Sequence, residues 1–134
     1  MILGIGTDLC DITRIEKLMS RLGTKLVDKH FSSHEQGIFQ TINEDNRPSY
    51  IAKRFAAKEA VAKALGCGIR GDVFLKDISI SNDELGKPNV TLSNGALNYL
   101  KKITPDLYVT RIHISLSDDG RYASAYVMIE ALKE

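Results

Sequence analysis

Ser49-Tyr50-Ile51-Ala52-Lys53-Arg54-Phe55-Ala56-Ala57-Lys58-Glu59-Ala60-Val61-Ala62-Lys63-Ala64-Leu65 reads as one helix, halted by Gly66 and Gly68. At about 100° per residue, Ile51, Phe55, Ala62 and Leu65 share one face, and Lys58 projects into the middle of that apolar arc. The opposite face is largely alanine: Ala52, Ala56, Ala57, Ala60 and Ala64. A helix apolar on every side belongs inside a domain, so the rest of the chain is expected to wrap around it.

Working upstream, Asn43 to Pro48 is a polar break, and Ser32-Ser33-His34-Glu35 is a capping box opening a short helix through Ile38 and Phe39. Thr13-Arg14-Ile15-Glu16 fits a second capping box with Thr13 as N-cap. From it an apolar stripe follows at Ile15, Leu18, Met19, Leu22 and Leu26. Met1 to Thr7 is a short apolar run that predicts a buried strand delivering Asp8 at its end. Downstream, Ile78 and Ile80 alternate with serines, Asp83 to Pro88 is turn chemistry, and Val90 and Leu92 make a return strand. Asn94 to Ile103 is helical, closed by Thr104-Pro105. Tyr108 to Ser117 and Arg121 to Glu130 form a hairpin around Asp118-Asp119-Gly120. No repeat, linker or low-complexity segment interrupts this order. It predicts a single α+β domain over residues 1–134, a mostly antiparallel sheet packed with one long buried helix and shorter ones.

The 134 residues suit one such domain, large enough to stand without disulfide or metal staples. With 43% hydrophobic and 26% charged residues, disordered and fibrous classes are excluded. The 18 Lys+Arg against 17 Asp+Glu leave +1, which argues against duplex DNA as a partner. Cys10 and Cys67 lie far apart with no CxxC, the pattern of reduced buried thiols. The start of the chain has no basic region before its apolar run and soon turns acidic, and no membrane-length apolar stretch follows, so a cytoplasmic protein is expected.

The chemistry concentrates where charge meets the buried helix. Lys53, Arg54, Lys58, Glu59 and Lys63 are costly there unless they are paired or bind something. One reading is a surface Glu59–Lys63 pair at i, i+4. The other is a carboxylate for a metal with cations for phosphate, and Asp8 joining Glu59 would make a hard two-carboxylate Mg²⁺ site. Gly66-Cys67-Gly68-Ile69-Arg70-Gly71 spells GxGxxG but follows a helix rather than a strand, so it is no dinucleotide fingerprint. It terminates the helix or lets backbone approach a ligand. His113 shares the polar face of its strand with Arg111, Ser115 and Ser117, as a solvated residue or a phosphate or base contact. Arg14, Lys17, Arg21 and Lys25 form a basic stripe, a solvated face or a dock for an acidic partner.

Ile5-Gly6-Thr7-Asp8, Phe55-Ala56-Ala57-Lys58-Glu59-Ala60-Val61-Ala62-Lys63-Ala64, Gly66-Cys67-Gly68-Ile69 and His113-Ile114-Ser115-Leu116 together resemble the holo-acyl-carrier-protein synthases. These are the short, bacterial-type branch of the 4′-phosphopantetheinyl transferases, and the resemblance spans nearly the whole chain in the right order and spacing. It implies that fold and a Mg²⁺-dependent transfer of phosphopantetheine from coenzyme A to a serine of apo acyl carrier protein. Adenosine 3′,5′-bisphosphate is the other product, and the setting implied is fatty acid biosynthesis. By the same resemblance Asp8 and Glu59 match the metal carboxylates and Lys63 the lysine on the diphosphate. Arg54 and His113 match contacts to the adenosine and its 3′-phosphate, and Gly66 to Gly68 the segment along the substrate arm. Arg14, Lys17, Arg21 and Lys25 match the helix that docks the acidic carrier, and a homotrimer with shared sites is implied. The chain departs from the family at Ser117-Asp118, where many relatives carry histidine or threonine, so no role is transferred there.

Serine attack on a diphosphate needs charge neutralisation and alignment more than covalent help, which suits Asp8, Glu59 and Lys63. The serine proton is expected to go to Glu59 or to a water on the metal. A non-catalytic coenzyme A or nucleotide sensor is the rival. It has little use for a second carboxylate facing an anionic diphosphate. A nucleic-acid binder ranks third, since no aromatics interleave the basic stripe.

Overall fold

A computed structural model describes residues 1–134. The elements run β1 (Ile2–Asp11), α1 (Ile12–Leu22), α2 (Lys25–His30), α3 (Ser33–Thr41), α4 (Arg47–Leu65), β2 (Ile78–Asn82), β3 (Pro88–Leu92), α5 (Asn94–Ile103), β4 (Tyr108–Asp119) and β5 (Tyr122–Lys133). Two antiparallel sheets result, one ordered β1-β5-β4 and one made of β2 and β3. This is the expected α+β fold, with α4 at its centre.

The alanines explain how α4 sits. All five on its alanine face are at most 2% exposed. Gly4 and Gly6 of β1 lie directly against the helix backbone: a Cβ on Gly4 would come within 1.8 Å of the Ala64 carbonyl oxygen, and one on Gly6 within 2.0 Å of that of Ala60. Any larger residue at either glycine would push the strand off the helix. The packing lays the start of β1 along the last turn of α4 and carries the strand back toward Phe55, with Asp8 within reach of Lys63 and beside Glu59. Gly66 ends the helix at φ 91°, its N–H bonded to the Lys63 carbonyl. One core joins α4 to Ala125, Val127 and Ile129 of β5 and to Ile78 and Ile80 of β2. A second gathers Ile15, Leu26, Phe31 and Phe39 around the start of α4.

Several local expectations are corrected. β1 does not stop before Asp8; it runs on to Asp11, pairing with β5 throughout. The N-cap of α1 is Asp11, whose carboxylate accepts from the Thr13 backbone N–H and hydroxyl, not Thr13 itself. An acid two residues upstream outcompetes the threonine because the chain leaves a paired strand there. Gly23 breaks the first helix, so Leu26 and Lys25 belong to α2. α4 starts at Arg47, with Pro48 in its first turn, rather than at Ser49. The Ser32–Glu35 capping box, the β2–β3 hairpin and α5 stand where the sequence puts them, while the last hairpin turns at Gly120-Arg121, with Asp118 and Asp119 still paired in β4.

Candidate active site

Lys63 on α4 reaches across to β1 and donates to the Thr7 carbonyl and the Asp8 carboxylate, each at 3.0 Å. The i, i+4 pair with Glu59 does not form: the five ion pairs of the chain leave Glu59 without a cation. Its carboxyl is pushed above the usual range, first by burial and then by the Asp8 charge, with Lys63 opposing. Two hard carboxylates therefore meet where β1 crosses α4, one of them unpaired. No third metal-binding side chain joins them. That donor set suits Mg²⁺, which takes one or two protein carboxylates and fills its octahedron with phosphate oxygens and water.

Two clefts open on Asp8, and Glu59 lines the smaller of them. One, of about 650 Å³, is lined by Thr7, Asp8, Lys63, Ser115, Ser117 and Tyr126. The other, of about 300 Å³, holds Asp8, Cys10 and Glu59 against Phe55, Leu18 and Arg14. Arg14 thus links the acid pair to the basic row. Arg14, Lys17 and Arg21 line an adjoining groove of about 350 Å³, and with Lys25 they are exposed and take part in no ion pair.

Arg54 occupies a separate cleft of about 640 Å³ with Tyr50, Lys53, Asn82, Pro88 and Asp118. Only 8% exposed, it donates to Asn82 at 2.5 Å and lies 4.7 Å over the Tyr50 ring, while its Nε finds no partner. A buried cation with an unused donor is a ready contact for an anion. Asp118, at the departure from the family pattern, pairs with Lys53 at 3.2 Å on the rim of this cleft. His113 does not line that cleft. It stands on the outer face of β4, 2.8 Å from the Glu130 carboxylate. Gly66 lines yet another cavity, of about 860 Å³, beside Cys67, Arg70, Phe74 and Tyr99, and Gly68 does not. The structure thus joins Asp8, Glu59, Lys63 and Arg14, and leaves Arg54, His113 and the glycine loop apart.

Comparison with known proteins decides the family. Residues 4–127 match the family model of the 4′-phosphopantetheinyl transferase superfamily. The chain belongs to that superfamily. Within it, the chain is 46% identical over 132 residues to a holo-[acyl-carrier-protein] synthase of Caulobacter sp. (strain K31), covering 98% of each. Its fold is similar to that of the holo-[acyl-carrier-protein] synthase of Neisseria meningitidis, with a TM-score of 0.83 at 36% identity, covering 97% of this chain and 99% of the other. It is also similar to the Helicobacter pylori enzyme crystallised in complex with coenzyme A, with a TM-score of 0.77 at 32% identity, covering 94% and 99% of the two chains.

One feature of this phosphopantetheinyl transferase chain escaped the sequence reading. Lys58 is wholly buried against Glu35, and that pairing joins α4 to α3. Burial pulls the Lys58 ammonium below its ordinary value, and the Glu35 charge works against that pull. The sequence did carry a signal, a lysine in the middle of an apolar arc. It gave no pointer to a partner 23 residues upstream.

Proposed function

We propose that this chain moves the 4′-phosphopantetheine group of coenzyme A onto a serine of apo acyl carrier protein, releasing adenosine 3′,5′-bisphosphate. The observation that carries the reading is the Asp8–Glu59–Lys63 cluster, two carboxylates and a cation gathered where two clefts share Asp8, beside an unpaired basic row. Asp8 and Glu59 would hold Mg²⁺, which when bound neutralises the diphosphate and aligns it. Lys63 adds positive charge to the phosphoryl group in transfer. The serine oxygen forms the new P–O bond at the phosphorus bearing pantetheine, and the bridging P–O bond breaks toward the bisphosphate. Glu59, which no cation of the chain itself engages, is the base offered for the serine proton. Arg54, with its free Nε, is proposed for the 3′-phosphate. His113 is proposed to meet the nucleotide bound by a neighbouring subunit, and Gly66 and Gly68 to flank the pantetheine arm. Arg14, Lys17, Arg21 and Lys25 face the acidic carrier.

The whole of residues 1–134 acts in this reading as one transferase domain, in fatty acid biosynthesis, in the cytoplasm and as a homotrimer. Support for assembly is the outer face of the larger sheet, where Ile5 (58%), Leu9 (62%) and Tyr126 (48%) are exposed side by side. No helix is long and apolar enough to cross a membrane. Intact-mass spectrometry of an apo carrier incubated with this protein, coenzyme A and Mg²⁺ tests the function. The expected result is a gain of one phosphopantetheine unit that EDTA abolishes. No gain on several folded carriers, with coenzyme A binding unaffected by Mg²⁺, would favour a sensor instead.

A further inference from the structure

Lys58 and Glu35 are both completely buried, and neither lines any of the five clefts described above. Lys58 Nζ donates to Glu35 Oε1 at 2.5 Å, to the Leu75 carbonyl at 3.0 Å and to the Ile78 carbonyl at 2.5 Å, so all three of its donors are used. Glu35 in turn accepts from the backbone N–H of Ser32 at 2.9 Å and of Ile80 at 2.8 Å. One ammonium–carboxylate hub therefore ties α4 to α3, to the turn before β2 and to β2 itself. Being saturated, Lys58 has nothing left to offer a substrate phosphate.

The position of this hub gives it a consequence. Lys58 directly precedes Glu59, and the two side chains leave α4 on different sides, one into the core and one toward Asp8. Against β1 the helix rests on Gly4 and Gly6, which set its distance from the strand, and its side-chain ties to β1 are those of the half-exposed Lys63 to Thr7 and Asp8. An α-helix advances about 1.5 Å and turns about 100° per residue, so a small slip or roll moves Glu59 away from Asp8. Directional hydrogen bonds on the far side resist such motion, and the hub supplies three to one atom.

We propose that Lys58, fixed by Glu35, is a positioning residue of the transfer reaction: it sets the axial and rotational place of α4, and so the place of Glu59 relative to Asp8. The inference rests on the proposed role of Asp8 and Glu59 as the Mg²⁺ carboxylates. Residues that orient metal ligands from behind them alter metal affinity by about 10- to 100-fold when changed.

The test measures coenzyme A binding by calorimetry across a series of Mg²⁺ concentrations, with the folded fraction of each protein taken from circular dichroism. Lys58→Met removes the hub. Glu35→Asp keeps both charges and shortens the carboxylate's reach by one methylene, and it carries the test alone if Lys58→Met does not fold. The expected result is a Mg²⁺ concentration for half-maximal effect raised at least about tenfold in the folded fraction. A purely structural hub would lower the melting temperature and leave that concentration at the wild-type value, which would overturn the proposal. Glu59→Gln is the control: it should abolish the Mg²⁺ effect. Its persistence there would overturn the metal-site reading itself, whatever the hub variants do.

Discussion

Lys58–Glu35 and Lys63–Asp8 are both ammonium–carboxylate pairs built from α4, at 2.5 and 3.0 Å, and they sit in opposite environments. The first is fully buried, with every donor and acceptor matched by the protein. The second is open, with Lys63 at 53% and Asp8 at 22% side-chain exposure, and beside it stands Glu59 with no cation of its own. A saturated pair has no donor left for a substrate and can act on the reaction only through the backbone it holds in place. An unsaturated cluster at the mouth of a cleft can exchange partners, which binding a diphosphate requires. The contrast separates scaffold from chemistry on one helix, less than two turns apart.

Cutting each pair should expose that difference. Lys58→Met leaves a buried carboxylate unpaired and should cost about 3–5 kcal/mol of stability. Lys63→Ala removes a partly exposed partner and should cost at most about 1 kcal/mol, while lowering transfer by at least about tenfold. Denaturant titration and initial-rate assays on the two variants check both halves. Equal losses of stability would erase the distinction drawn between the pairs.

A smaller effect sharpens the same contrast through pH. Because the folded-state affinity of Glu59 for a proton is raised, the native protein keeps that proton where the unfolded chain has lost it. Its contribution to stability is complete below the ordinary carboxylate range and is lost as pH rises through the raised value. Denaturant titrations of EDTA-treated protein over that range should show a downward slope that Glu59→Gln flattens. Identical slopes in wild type and variant would mean that burial and Asp8 do not act on Glu59 as described.

Much of this arrangement was legible in the sequence because it is local. The alanine face of α4, the Gly66 stop, the Ser32–Glu35 capping box and the two hairpins each follow from spacing and turn chemistry over a few residues. The residues offered Asp8 and Glu59 as one of two readings, the resemblance matched both to metal carboxylates, and the structure brings them to one cleft. What stayed hidden is long-range choice. Local spacing offered Lys63 to Glu59, and tertiary packing of β1 on α4 gave it to Asp8 instead. Glu35 looked like a capping residue alone, since nothing near it in sequence announces Lys58. The cap of α1 was misplaced by two residues because Asp11 and Thr13 are both good caps, and only strand pairing through Asp11 decides between them.

The central claim is that the unpaired carboxylate of the open cluster carries the chemistry. Its most direct test is the rate of phosphopantetheine transfer by Glu59→Gln, followed by intact mass of the carrier and set beside wild type, with melting curves of both proteins. The account predicts an undiminished melting temperature and transfer slower by at least about 100-fold. Transfer near the wild-type rate from a folded Glu59→Gln protein would contradict it.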